Sequence, residues 1–130
     1  MGTKRLENLT IVVVDDQEDA RTAVGHYLSS LGADVHTSDE VDKALNILPT
    51  LEPDLIITDI RLPGKDGFEL LRTVRSLDNP SIRDVPIVAM TALAEGLDQM
   101  KNISPRFNGF LRKPFTPDAL LRVISELLAV

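Results

Sequence analysis

With 130 residues and a formal net charge of −6, the chain is the size of one domain able to bury a core without covalent staples. It is too acidic for a nonspecific grip on DNA, and its four Phe and one Tyr give no platform for stacking bases, so no direct nucleic-acid partner is expected. The absence of cysteine excludes disulfides, thiolate metal sites and a cysteine nucleophile.

No apolar run reaches the length of a membrane span, and Met1-Gly2-Thr3-Lys4-Arg5 has no apolar h-region behind it. A cytoplasmic, single-domain protein without a membrane partner is expected over 1–130, with no output domain.

The first predicted element is the run Ile11-Val12-Val13-Val14, short and β-branched like a strand covered on both faces, and it ends at Asp15-Asp16. A helix follows, with Ala20, Ala23, Val24, Tyr27, Leu28 and Leu31 at i, i+3, i+4 spacing and Gly32 as its stop. Residues 33–37 alternate apolar and polar side chains, as an edge strand half open to water does. Val41, Ala44, Leu45 and Leu48 mark a second helix, which Pro49 is expected to end.

Leu55-Ile56-Ile57-Thr58 is the next buried strand and leads into Asp59. Asp66-Gly67-Phe68-Glu69 has the spacing of a capping box and opens a helix carrying Leu70, Leu71, Val74 and Leu77. A fourth strand over 85–90 ends at Thr91. Residues 93–104 form a sparse helix (Leu93, Leu97, Met100), in which Gly96 costs about 1 kcal/mol relative to alanine and which Pro105 closes. A fifth strand over 107–112 ends at Lys113-Pro114. Thr116, Pro117 and Asp118 give the last helix a cap, a first-position proline and an acid at its positive end; its buried face is Leu120, Val123, Ile124, Leu127 and Leu128.

Five β–α units predict a doubly wound α/β sandwich of three layers, flavodoxin-like in its winding. With right-handed crossovers and the half-exposed strand second, the parallel sheet runs in the order 2-1-3-4-5. All strands of a parallel sheet end on one side, so Asp15, Asp16, Asp59, Thr91 and Lys113 should converge in one crevice, where open α/β sheets bind ligands. Three neighbouring carboxylates repel unless something positive sits among them. A hard divalent cation answers that need, and Mg²⁺ in particular favours one or two carboxylates plus phosphate oxygens. A carboxylate at the floor of such a crevice can attack phosphorus, with Lys113 as a point charge, Thr91 as a hydroxyl donor and small Ala92 leaving room. Taken singly, Asp16, Asp59 and Thr91 read as helix caps and Lys113 as a solvated side chain. Their order, each at a strand terminus, is hard to obtain from capping needs alone.

The motifs Val13-Val14-Asp15-Asp16, Asp59-Ile60-Arg61-Leu62-Pro63-Gly64-Lys65-Asp66-Gly67, Met90-Thr91-Ala92 and Leu111-Arg112-Lys113-Pro114-Phe115 resemble those of the receiver domain of two-component response regulators. The resemblance covers nearly the whole chain, with a core over about 9–129. It implies that Asp59 is phosphorylated by a histidine kinase or phosphotransfer protein, with Thr91 and Lys113 assisting. It implies a Mg²⁺ site of Asp16 and Asp59 directly, Asp15 through water, and the backbone carbonyl of Arg61. It implies contact of Lys113 with the phosphoryl group, a cis peptide before Pro114, and no activity beyond the domain's own phosphorylation and dephosphorylation. Phe110 stands where a switch Tyr is frequent, so with Thr91 any switch is read sterically. Arg61 and Leu93 occupy the two variable positions flanking the phosphoryl site, which bear on phosphoryl lifetime. The expected output face joins 93–104, 107–112 and the last helix, for an effector or a second copy of the chain.

A haloacid-dehalogenase-type phosphatase would need an acid where Gln17 stands, and an FMN binder would need a hydroxyl-rich loop where Asp15-Asp16-Gln17-Glu18-Asp19 would repel phosphate. The standing alternative is a receiver-like docking module that is never phosphorylated.

Overall fold

The computed structural model describes residues 5–92 and 104–130. Strands β1 (Thr10–Val14), β2 (Asp34–Ser38), β3 (Leu55–Asp59), β4 (Ile87–Thr91) and β5 (Gly109–Arg112) form a parallel sheet in the order β2-β1-β3-β4-β5, as the winding argument requires. Among the described residues the helices are α1 (Glu18–Ser30), α2 (Val41–Leu51), α3 (Gly67–Arg75), α4 (Pro80–Arg83) and α5 (Pro117–Leu128). The sparse helix expected over 93–104 lies, apart from Ser104, outside the described residues, and Leu93 with it.

Successive side chains of a strand face opposite ways, and here both faces are covered. Val12, Val14, Ile56, Ile87 and Ala89 pack with Val41, Ala44, Leu48, Leu70, Leu71 and Val74 of α2 and α3. Ile11, Val13, Leu55, Ile57, Val88 and Met90 pack on the other face with Leu28 of α1 and Leu120 and Ile124 of α5. Leu6, ahead of β1, is fully buried in this second layer, and its N–H donates to the Leu31 carbonyl at 2.8 Å.

The terminal signals act as expected in three helices. Gly32 follows the end of α1 at φ 100°, a conformation glycine adopts freely. Asp66 accepts from the Glu69 N–H at 2.9 Å, with Glu69 bonding back to the Asp66 N–H. Thr116 accepts from the Ala119 N–H at 3.1 Å, with Pro117 next in line.

Four expectations need correction. Pro49 lies inside α2, which runs on to Leu51 and closes on Glu52 in the left-handed region at φ 44°. Proline within a helix costs about 3 kcal/mol, but full burial of a leucine contributes roughly 1.5–3 kcal/mol. Leu48 is fully buried and Leu51 packs on the core, so packing carries the helix one more turn.

β4 starts at Ile87, because Pro86 has no N–H for the ladder and only its carbonyl serves, accepting from Ile56 at 3.0 Å. β5 starts at Gly109, because Asn108 closes the ladder with its side chain. Its Oδ1 accepts from the Ile87 N–H at 2.9 Å and from Arg75 Nη2 at 2.8 Å. The one-turn helix α4 was not foreseen, although Asn79-Pro80 is a start signal: the Asn79 side chain caps Ser81 at 3.0 Å, and Ile82 is seated in the core.

Candidate phosphoryl and metal site

The C-terminal ends of β1, β3, β4 and β5 open onto a cleft of about 710 Å³ lined by Asp15, Asp16, Asp59, Arg61, Thr91, Ala92 and Lys113. All five residues that the sequence placed at strand termini are therefore brought together. Gln17, Ala20, Ala23, Val24, Met90, Pro114 and Phe115 complete the walls. The start of α1's apolar stripe, Ala20, Ala23 and Val24, walls the cleft, and Ala23 is exposed there.

Asp15 is fully buried and held from four directions. Its N–H donates to the Ser38 carbonyl at 3.0 Å, and its own carbonyl accepts from Arg21 Nη1 at 2.8 Å. Of its carboxylate oxygens, Oδ1 accepts from the Gln17 N–H at 3.0 Å and Oδ2 from Lys113 Nζ at 2.9 Å. Asp16, the next residue, is exposed at the rim.

Asp59 ends β3, with its side chain only 13% exposed and Oδ2 at 2.8 Å from the same Lys113 Nζ. Its backbone is set by α3. A Cβ on Gly67 would sit 2.5 Å from the Asp59 carbonyl oxygen and 3.0 Å from Ile60 Cα, and the Gly67 N–H donates to the Ile60 carbonyl at 2.8 Å. Only glycine lets α3 begin this close to the strand. Thr91 is buried at the end of β4, and its carbonyl accepts from the Lys113 N–H at 2.7 Å, tying the ends of β4 and β5 together. The Lys113-Pro114 peptide is cis.

The charges are unequally served. Burial raises the Asp59 carboxyl above its ordinary value; Lys113 pulls it down, but Asp15 and Asp16 push the same way as burial. Burial would lower the Lys113 ammonium, yet the bonds to Asp59 and Asp15 outweigh it and hold it above its ordinary value. One lysine shared by two carboxylates explains both directions, since the lysine gains two partners and Asp59 only part of one.

Phe110 does not line the cleft. It is half-buried on β5, edge-on to Phe107 with centroids 5.8 Å apart, and Phe107 meets Phe68 of α3 at 5.2 Å.

As a metal centre, the donor set is all oxygen: ligand atoms of Asp15, Asp16 and Asp59 lie within 4.8 Å of one another. That chemistry fits a hard cation such as Mg²⁺. Residue types that sequence reasoning passed over include Arg21, whose only early signal was a basic residue near the positive end of a helix.

The response regulator receiver domain family matches residues 11–125, which takes in every strand end described above. The chain belongs to this family. Receiver domains serve two-component signalling and are not conventional enzymes. The receiver is 35% identical over 121 residues to a 14.6 kDa protein of Leptolyngbya boryana, covering 93% of this chain and 91% of that one. It is also 35% identical over 121 residues to the sensor protein EvgS of Escherichia coli, covering 93% of this chain but only 10% of EvgS. The receiver domain of sensor histidine kinase PA1611 from Pseudomonas aeruginosa, solved with magnesium coordinated in its active-site cleft, superposes with a TM-score of 0.82 at 30% identity, covering 94% of this chain and 98% of that one. No helix among the described residues is long and apolar enough to cross a membrane.

Proposed function

We propose that this receiver carries signal by phosphorylation of Asp59. The observation that supports it best is Lys113 Nζ bridging Asp15 and Asp59 at the floor of a cleft where three carboxylates meet. Lys113 engages Oδ2 of Asp59, leaving Oδ1 to attack the phosphorus of a phosphohistidine on a histidine kinase or phosphotransfer protein. The new P–O bond forms as the P–N bond breaks, and the imidazole leaves with the bonding pair and takes a proton from solvent. In the reverse sense of signalling, water attacks the same phosphorus, the P–O bond to Asp59 breaks, and inorganic phosphate leaves.

Asp16 and Asp59 directly, Asp15 through water and the Arg61 carbonyl would hold Mg²⁺, which supplies neutralising charge beside the transferring phosphoryl oxygens. Lys113 adds a point charge and Thr91 a hydroxyl donor, so the domain's work is positioning and charge stabilisation. The unit is a single receiver domain, in the cytoplasm with its kinase. It presents 93–104, 107–112 and α5 to an effector or a second copy, with Phe110 and Thr91 as the switch pair.

Incubation with Mg²⁺ and acetyl phosphate should add one labile, hydroxylamine-sensitive phosphoryl group to the wild type and none to Asp59→Asn. Equal labelling of the variant would refute the assignment of Asp59. No labelling by donor or kinase would favour the docking module.

A further inference from the structure

Metal affinity in such a site depends on groups that fix the ligands as well as on the ligands themselves. Asp15 is fixed by four bonds, whereas Asp16 is exposed and depends on the backbone that precedes it. The peptide joining Asp15 to Asp16 is gripped at its carbonyl by Arg21 Nη1 at 2.8 Å. Arg21 stands one turn beyond Gln17, to whose carbonyl its own N–H donates at 2.9 Å, so its side chain reaches back over the turn that carries Asp16.

Glu18 and Asp39 lie near enough to welcome a cation there, but among the described residues neither accepts a hydrogen bond from Arg21, whereas the Asp15 carbonyl does. Glu18 and Asp19 suit the positive end of α1, but a guanidinium near that end opposes the helix dipole. Against that local preference Arg21 directs its guanidinium to the backbone that carries two of the three clustered carboxylates.

Resting on the metal reading above, we infer that Arg21 is a positioning residue for the divalent-cation site: it fixes the Asp15–Asp16 peptide so that Asp16 faces Asp59. This role and a plain electrostatic one have opposite signs. A cation near a Mg²⁺ site repels the metal, so if charge were all that mattered, removing Arg21 would tighten Mg²⁺ binding. If positioning dominates, removing it weakens binding.

The test is calorimetric titration of the full chain with Mg²⁺ alone. Arg21→Met, which suits a helix and keeps the apolar stem, should bind Mg²⁺ on the order of tenfold more weakly, the usual size for loss of an outer partner of a ligand. Arg21→Lys, which keeps charge and a donor, should recover part of the loss. In an Asp16→Asn background, Arg21→Met should weaken Mg²⁺ binding by a smaller factor than in the wild type, because the carboxylate it positions is gone. Unchanged or tighter binding by Arg21→Met, with wild type binding normally, overturns the inference while leaving the metal site standing. No Mg²⁺ binding by wild type overturns both. If Arg21→Met fails to fold, Arg21→Gln gives the same reading.

Discussion

At the scale of single residues, the two ends of the 2.8 Å bond between Lys113 and Asp59 should respond to mutation with opposite signs. Lys113→Met leaves Asp15, whose side chain is 1% exposed, as a buried charge without its cation. Breaking a buried pair this way costs about 3–5 kcal/mol, and somewhat less here because Lys113 itself keeps 19% exposure. Asp59→Asn removes a carboxylate that burial and two like charges disfavour and leaves Lys113 with Asp15. It should stabilise the metal-free domain by up to about 1 kcal/mol after allowance for solvent screening. Urea unfolding of both variants checks the pair of signs.

The pH dependence follows from the same directions. Asp59 is raised from 3.8, so the folded state holds its proton more tightly and stability falls as pH rises through the window above 3.8. The advantage of Asp59→Asn over wild type should therefore vanish below that pH and grow above it. Lys113 is raised from 10.5, so its contribution is complete below that value and is lost as pH rises beyond it. An Asp59→Asn advantage that is constant from pH 3 to 7 would show that the carboxylate is not under this strain. The sequence located every one of these charges, because strand ends locate them. It could not assign the lysine to two carboxylates at once, since that depends on a side-chain direction set by the packed cleft.

Among the elements, the junction of β3 and α3 decides where Asp59 sits. The capping box at Asp66 and Glu69 starts the helix, but the approach distance is set by Gly67. Asp66→Ala should cost about 1 kcal/mol, the usual loss of a cap. Gly67→Ala forces a methyl into the Asp59 carbonyl, and overpacking of this kind costs typically 1–3 kcal/mol. The relief has to come from moving Asp59 or the start of α3. Acetyl phosphate labelling, measured where both variants are fully folded, should then be slowed far more by Gly67→Ala than by Asp66→Ala. Equal rates would mean that α3 does not position Asp59 for labelling.

The caps were readable because each is a local residue pattern. The end of α2 was not, because Pro49 argues for a stop locally and the buried face of Leu48 and Leu51 overrules it from outside the helix. The late start of β5 was equally hidden, since a side-chain oxygen of Asn108 stands in for a ladder carbonyl.

Across the whole molecule, the ends of β4 and β5 are one mechanical unit. The Lys113 N–H holds the Thr91 carbonyl at 2.7 Å, and Phe110 lies three residues before Lys113 on the same chain. A phosphoryl group on Asp59 adds negative charge where Lys113 Nζ now serves two carboxylates. Turning Lys113 and Thr91 toward it draws both strand ends inward. Phe110 then has to move against Phe107, which in turn rests on Phe68 of α3. Such a change need only redistribute two states a few kcal/mol apart. The edge strand β2 lies at the opposite edge of the sheet, separated from β4 and β5 by β1 and β3, whereas α2 packs on α3 in the same core cluster as Phe107. Hydrogen exchange with Mg²⁺ and beryllofluoride, a stable phosphoryl mimic, should therefore alter residues 107–112 and the start of α5, and leave the distant edge strand β2 as it was. Asp59→Asn should abolish the response, and Phe110→Ala should keep it near Asp59 while reducing it along β5. Changes confined to the surroundings of Asp15 and Asp59 in the wild type would mean that the signal leaves this receiver by another face.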